Sequence, residues 1–292
     1  MIVKAIPDRF LQWRQLLPPS YRYDYFVATG LAAFEPVAAA YSAVNATYLA
    51  DAALLAYAPP EFALQQFKRA RLGEPRFFER AGTRAYLIES DELAIAAFRG
   101  TEVDHPKQFL VDLGDDLSFA LRPGAGVPGR VHGGFEKALD DVWDRIDPPL
   151  AHAAARGKPV WLTGHSLGAA LATLAGVRLS SVEGVYAFAS PRVGDAEFAA
   201  AAGELNLVRF VLGRDLVPRL PPRRLGFEHG GSRMLIDGAG AIHPESEPPR
   251  LPDEPGFKDV ARRWIEAARL HLFDHAPALY ATQVWNAFVA GR

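Results

Sequence analysis

A serine held between two glycines, Gly164-His165-Ser166-Leu167-Gly168, is the most chemically pointed run in the chain. A serine hydroxyl is a weak nucleophile at neutral pH and becomes reactive only when a base takes its proton. The pattern G-x-S-x-G supplies such a serine when it joins a buried strand to a helix, because the sharp turn exposes the hydroxyl. The flanks fit that setting. Pro159-Val160-Trp161-Leu162-Thr163 reads as a short buried strand, and the Ala/Leu-rich stretch from Leu167 to Leu179 reads as a helix. Glycines at 164 and 168 avoid collisions with the neighbouring strand and helix backbone. The helix start adds free N–H groups and a dipole that favour developing negative charge. The plainer alternative makes Ser166 a simple helix cap; the strand and the paired glycines favour the nucleophile. The chemistry to expect is attack on an acyl carbon, with the Leu167 N–H as one donor to the resulting oxyanion.

Such a serine needs a histidine, and the histidine needs a carboxylate to orient it and support its charge. Behind an elbow of this kind the chain order is serine, acid, histidine. That order leaves His229, His243, His271 and His275 as bases, and position alone does not choose among them. His165 adjoins the serine and cannot fold back onto it. Asp215 is the best acid, because it follows the apolar run Leu207 to Leu212, where a strand end opens into a loop. Asp195 is expected to cap the helix Asp195 to Ala202, and Asp237 to sit in a turn before Gly238. His271 and His275 form H-x-x-x-H, but no third metal ligand is in view. His132-Gly133-Gly134 is similar to the H-G-G-G oxyanion run of other esterases. It opens a helical stretch rather than following a strand, so a structural role is expected. The chemistry calls for no cofactor and no metal.

The elements that must position these groups alternate. Asn45–Tyr57 and Glu61–Ala70 read as helices, and Arg84–Ile88 and Leu93–Phe98 as a hairpin or two neighbouring strands. Gly134–Ala155 reads as a long helix, bent or split at Pro148-Pro149. Val185–Ala189, Leu207–Leu212 and Arg233–Ile236 read as strands, and residues 244–256 as an exposed loop. Two helical stretches close the chain, Phe257–Leu270 and Ala276–Ala290. Strands alternating with helices imply a mostly parallel sheet covered on both faces. Residues 102–130 are loop-like, and connections this long are commonly functional. Within them, 102–119 is the natural lid, carrying Phe109, Leu110, Val111 and Leu113.

The 292 residues suffice for one large α/β domain. A formal net charge of −2, without a basic block, argues against nucleic acid as the main partner. It leaves contact with uncharged lipid open. The chain has no cysteine, which excludes disulfides, thiolate metal sites and a cysteine nucleophile. The first ten residues do not resemble a signal peptide, so the expectation is a cytoplasmic protein or one exported by a non-classical route. The Ala-rich stretch from Phe26 to Ala40 is broken by Glu35-Pro36 and too short to span a bilayer; a buried helix or core strand is expected there.

Five ordered runs together resemble the class 3 (fungal-type) lipases of the α/β-hydrolase superfamily. They are Phe98-Arg99-Gly100-Thr101, Val131-His132-Gly133-Gly134-Phe135, Gly164 through Ala172, Ser190-Pro191-Arg192-Val193-Gly194, and Arg214-Asp215-Leu216-Val217-Pro218 continuing to Pro222. The resemblance runs from about Asn45 to the end and is densest between Phe98 and Pro222. It implies an α/β-hydrolase fold: one domain over 1–292, a central mostly parallel sheet with helices on both faces, and a lid. Residues 1–44, without a counterpart, would pack on it as an extension. It also implies Asp215 as the acid, His275 as the base through Asp274-His275 and Tyr280, and Thr101 as an oxyanion-hole residue. The implied activity is that of a triacylglycerol lipase, with lipid esters as substrates and transient contact with a lipid–water interface. Two departures stand out: Gly168 is followed by Ala169 instead of a second glycine, and the disulfides and signal peptide of secreted fungal members are missing. A short-chain or feruloyl-type esterase, an acyltransferase and a non-catalytic binding relative are the rival readings.

Overall fold

The computed structural model describes residues 3–9, 11–100, 120–179, 181–213, 215–245 and 273–292. An eight-stranded sheet organises them, in the order β1 (Glu74–Arg80), β2 (Thr83–Glu89), β3 (Ala94–Phe98), β6 (Val160–His165), β7 (Gly184–Phe188), β8 (Leu207–Leu212), β9 (Ser232–Ile236) and β10 (Ile242–Glu245). Two short strands, β4 (Leu121–Pro123) and β5 (Arg130–His132), pair separately. The central strands β3, β6, β7, β8 and β9 run parallel, and antiparallel pairings close both edges. The helices are α1 (Ala43–Leu55), α2 (Pro60–Ala70), α3 (Gly133–Ala155), α4 (Leu167–Arg178), α5 (Ala196–Gly203) and α6 (Pro277–Ala290).

Strands β3, β6, β7 and β8 are buried at every position. Burial without alternation is what a sheet covered on both faces requires. Side chains of one strand divide between two cores. Tyr86 and Ile88 join the core built with α1, α6 and the N-terminal segment, while Ala85 and Leu87 join the core built with α3, α4 and α5. Edge strand β1 was not expected from sequence. Its Glu74, Arg76, Glu79 and Arg80 make it too polar to read as a strand, yet every one of its residues pairs with β2.

Three other expectations change. The long helix α3 runs unbroken through Pro148 and Pro149. The carbonyls those prolines leave without donors belong to Asp144 and Arg145, both exposed, where water can serve them. Residues 26–40 form neither a long helix nor a strand: a 3₁₀ turn, Val27–Gly30, is followed by irregular chain. Pro36 lacks an N–H for a ladder, and its carbonyl instead accepts from the Trp161 indole. Pro244 and Glu245, read as loop, extend β10. The lid segment 102–119, the remaining loop to 256 and the helical stretch Phe257–Leu270 lie outside the described residues. No helix among the described residues is long and apolar enough to cross a membrane.

The N-terminal segment is tied down at several points. Lys4 exchanges two backbone hydrogen bonds with the Asn286 side chain on α6. The buried carboxylate of Asp51 on α1 accepts from the Tyr23 hydroxyl and the Phe26 N–H.

Backbone approaches backbone closely between β3, β6 and α4. A side chain on Gly164 would overlap the Gly168 carbonyl, and one on Gly168 would overlap the Phe98 carbonyl. Neither neighbour is a movable side-chain tip, so the strain falls on backbone. Gly168→Ala should therefore lower the unfolding free energy by about 1–3 kcal/mol. Urea denaturation checks it, and an unchanged midpoint would contradict the close approach.

Candidate active site

Ser166 occupies the turn between β6 and α4 with φ 58° and ψ −125°. A positive φ is costly for a residue with a side chain, and it persists only where the surroundings over-determine it. Here the Ser166 N–H donates to the Phe188 carbonyl at 2.9 Å, and its own carbonyl receives the first α4 bonds from Ala169 and Ala170. The turn is pinned to β7 on one side and to the helix on the other.

The strand register brings the remaining groups to the same edge. Phe98 pairs with Gly164, His165 with Phe188, and Phe188 with Phe210, so β3, β6, β7 and β8 end side by side. Asp215 follows β8, with its N–H donating to the Leu212 carbonyl. His275 immediately precedes α6. Its Nε2 lies 2.9 Å from Ser166 Oγ and its Nδ1 lies 2.9 Å from Asp215 Oδ2. All three residues are at least 97% buried, with exposures of 3% for Ser166 and 1% for each of the others.

Asp215 is fully subscribed. Oδ1 accepts from the Val217 N–H at 2.9 Å, and Oδ2 accepts from the Tyr280 hydroxyl at 2.7 Å. That hydroxyl also accepts from the Leu212 N–H at 3.0 Å. Burial and the neighbouring Asp215 hold the Tyr280 phenol well above its ordinary value, so it remains a donor. Tyr280 had only been part of the histidine motif. Its spacing after His275, one helical turn into α6, was the available signal for this contact.

His165 is also buried, with Nδ1 2.9 Å from the Tyr57 hydroxyl. Its ring centroid lies 4.7 Å from that of His275. Burial foremost, then the proximity of His275, hold it well below the usual imidazole value, so it stays neutral. The chain leaves β3 through Gly100 directly against this pair: a side chain there would strike the Tyr57 hydroxyl and the His165 carbonyl. Thr101 itself lies outside the described residues. Leu167 opens α4, where first-turn N–H groups have no intrahelical acceptor. From the N-terminal segment, the Trp13 indole stacks on His275; the sequence offered no sign of that contact.

The other histidines lie elsewhere. His229 Nε2 meets the Pro218 carbonyl at 2.7 Å, and His243 pairs with Asp237 on the surface. His271 falls outside the described residues. His132 does end a strand, β5, contrary to the expectation that it follows none. Its Nδ1 accepts from Gly134 and Phe135 N–H and so caps α3. Asp195 caps α5 through Phe198 N–H, and Asp237 accepts from Ala239 and Ala241 in its turn.

With this geometry in view, the relatives can be placed. The profile of the family described as lipase (class 3) matches residues 95–225. A secreted mono- and diacylglycerol lipase of Malassezia restricta is 36% identical over 178 residues, covering 55% of this chain and 58% of the relative. Among solved structures, lipase II from Rhizopus niveus is 30% identical with a TM-score of 0.50, over 59% of this chain and 70% of that one. The chain belongs to the class 3 lipase family. The lipase from Rhizopus microsporus var. chinensis, 28% identical with a TM-score of 0.56, covers 70% of this chain and 79% of its own. The fold of this chain is therefore the α/β-hydrolase fold. The match spans 58% of the length of the first relative, short of two thirds of it.

One expectation is corrected here. The Malassezia restricta relative is named as secreted, and so is a Malassezia globosa relative that is 29% identical over 237 residues. That overturns the expected cytoplasmic or non-classically exported protein: the relatives point to export.

The buried histidines carry a pH consequence. His132, held at about 4, and His165 and His229, both held well below the usual imidazole value, are all depressed chiefly by burial. The unfolded chain takes up protons on them near pH 6.5 while the folded one does not. Stability is thus fully present above about pH 6.5 and declines below it, by up to about 1.4 kcal/mol per pH unit for each group. Buried Asp51, with its carboxyl raised by burial, opposes them singly. The melting temperature should fall between pH 7 and pH 5; a flat profile there would contradict the burial of these rings.

Proposed function

We propose that the chain is a serine carboxylic-ester hydrolase acting on acylglycerols. The observation that carries this reading is the unbroken hydrogen-bond chain from Ser166 through His275 to Asp215, with both spacings at 2.9 Å. Ser166 Oγ attacks the ester carbonyl carbon while His275 Nε2 takes its proton. Asp215 holds the Nδ1–H and supports the imidazolium. The carbonyl oxygen becomes an oxyanion, received by the Leu167 N–H and by Thr101. His275 returns the proton to the departing alcohol and leaves an acyl-serine. Water then attacks the acyl-serine with His275 again as base, releasing the fatty acid and restoring Ser166.

The substrate class is drawn from the relatives: the Malassezia restricta protein is named for mono- and diacylglycerols. A net charge of −2 suits brief contact with an uncharged lipid surface, not with nucleic acid. The 102–119 segment is the natural candidate for a lid over the acyl pocket.

Hydrolysis of p-nitrophenyl esters from acetyl to palmitoyl tests this. Ser166→Ala should lose activity by about 10⁴-fold or more. An optimum at long chains supports the lipase, and an optimum at acetyl or butyryl supports a short-chain esterase instead. A wild-type protein inactive along the whole series would leave a non-catalytic relative.

A further inference from the structure

His275 makes a hydrogen bond at each ring nitrogen, Nδ1 with Asp215 Oδ2 and Nε2 with Ser166 Oγ, and the N–H and lone pair of an imidazole both lie in the plane of the ring. Such bonds aim the nitrogens but resist tilt about the line joining them only weakly, because hydrogen-bond energy falls gradually with angle. Packing against the ring face must supply that restraint. The Trp13 indole supplies it with planes inclined by 13° and centroids 6.0 Å apart, an offset stack. His165, inclined at 43°, touches the ring more obliquely.

Trp13 is not on a loose tail. It opens the short 3₁₀ turn Trp13–Leu16, whose Leu16 is buried, in a segment tied to Asn286 and Asp51 on two helices. Its indole N–H is buried without an acceptor among the described residues, so ring contact accounts for its placement. The segment also lies outside residues 95–225, the part the family profile matches.

We infer that Trp13 is a positioning residue for the proposed hydrolysis, acting through His275, supplied to the site by the N-terminal segment. The inference rests on the hydrolase reading above. The stack sets the imidazole plane before the proton moves, which keeps Nε2 aimed at Ser166 Oγ. When His275 gains that proton it becomes a cation with its ring centroid 6.0 Å from that of the indole, within range of cation–π attraction. The attraction exists after proton transfer and is weak before it. Its contribution therefore falls on the transition state and is read in kcat.

The experiment compares wild type with Trp13→Ala, Trp13→Phe and Trp13→Leu in full steady-state kinetics on one p-nitrophenyl ester. The rate of Ser166 phosphonylation by an activated phosphonate is measured in parallel. Trp13→Ala should lower kcat by about three- to tenfold with KM little changed. Phosphonylation should slow by the same factor. Trp13→Phe should recover most of the rate, and Trp13→Leu, which fills space without a π face, should not. Circular dichroism identifies a misfolded alanine variant, in which case the Phe–Leu comparison decides. Unchanged kcat, a raised KM at constant kcat, or equal rescue by leucine would each overturn the inference. A wild type that neither hydrolyses the ester nor takes the phosphonate would instead bring down the hydrolase reading, and this inference with it.

Discussion

The backbone at Ser166 is the constraint on which the site depends. A serine at φ 58° is strained, and the strain persists because β6, β7 and α4 all bond to the same turn. Holding them that close requires two positions without side chains, Gly164 and Gly168. The same approach sets β3 against the helix start, so the chain beyond Phe98 leaves the sheet beside the serine. Parallel pairing then carries the arrangement outward, and the ends of β7 and β8 deliver Asp215 to the same edge. Relaxing the turn would move Ser166 Oγ relative to a histidine that reaches it from a different part of the chain.

Around that turn the polar groups are buried and fully engaged. Asp215 receives donors from Val217, Tyr280 and His275, and Tyr280 is itself held by the Leu212 N–H. In a medium of low dielectric, a carboxylate with each oxygen bonded is fixed in position, and it can balance charge on the neighbouring imidazole. His165 contributes by remaining neutral. A second positive charge 4.7 Å from the His275 ring would oppose the one that the proposed proton transfer creates.

The parts of this arrangement that are local were legible in the sequence, and those set by tertiary contact were not. The elbow could be read because its strand, glycines and helix are contiguous. Asp215 could be read as the residue after a buried strand. The base could not be chosen from spacing among His229, His243, His271 and His275, since it sits in a turn before α6 that no sequence spacing ties to Ser166; the family resemblance pointed to His275. Edge strand β1 was hidden by its charges, which an edge tolerates. The Phe26–Ala40 stretch misled through alanine content alone, because apolar composition without periodicity does not specify an element. Trp13 and His275 lie near opposite ends of the chain, and no local pattern pairs them. The compartment was misjudged because the N-terminus was read in isolation from the named relatives.

The central claim is that Ser166 is a nucleophile activated by the buried pair behind it. Intact-mass analysis after exposure to a serine-reactive phosphonate, followed by peptide mapping, tests it most directly. One adduct should form per wild-type chain, located at Ser166, with none on Ser166→Ala and greatly slowed labelling on His275→Ala. A wild-type chain that stays unmodified, or an adduct on another residue that survives Ser166→Ala, would contradict the account.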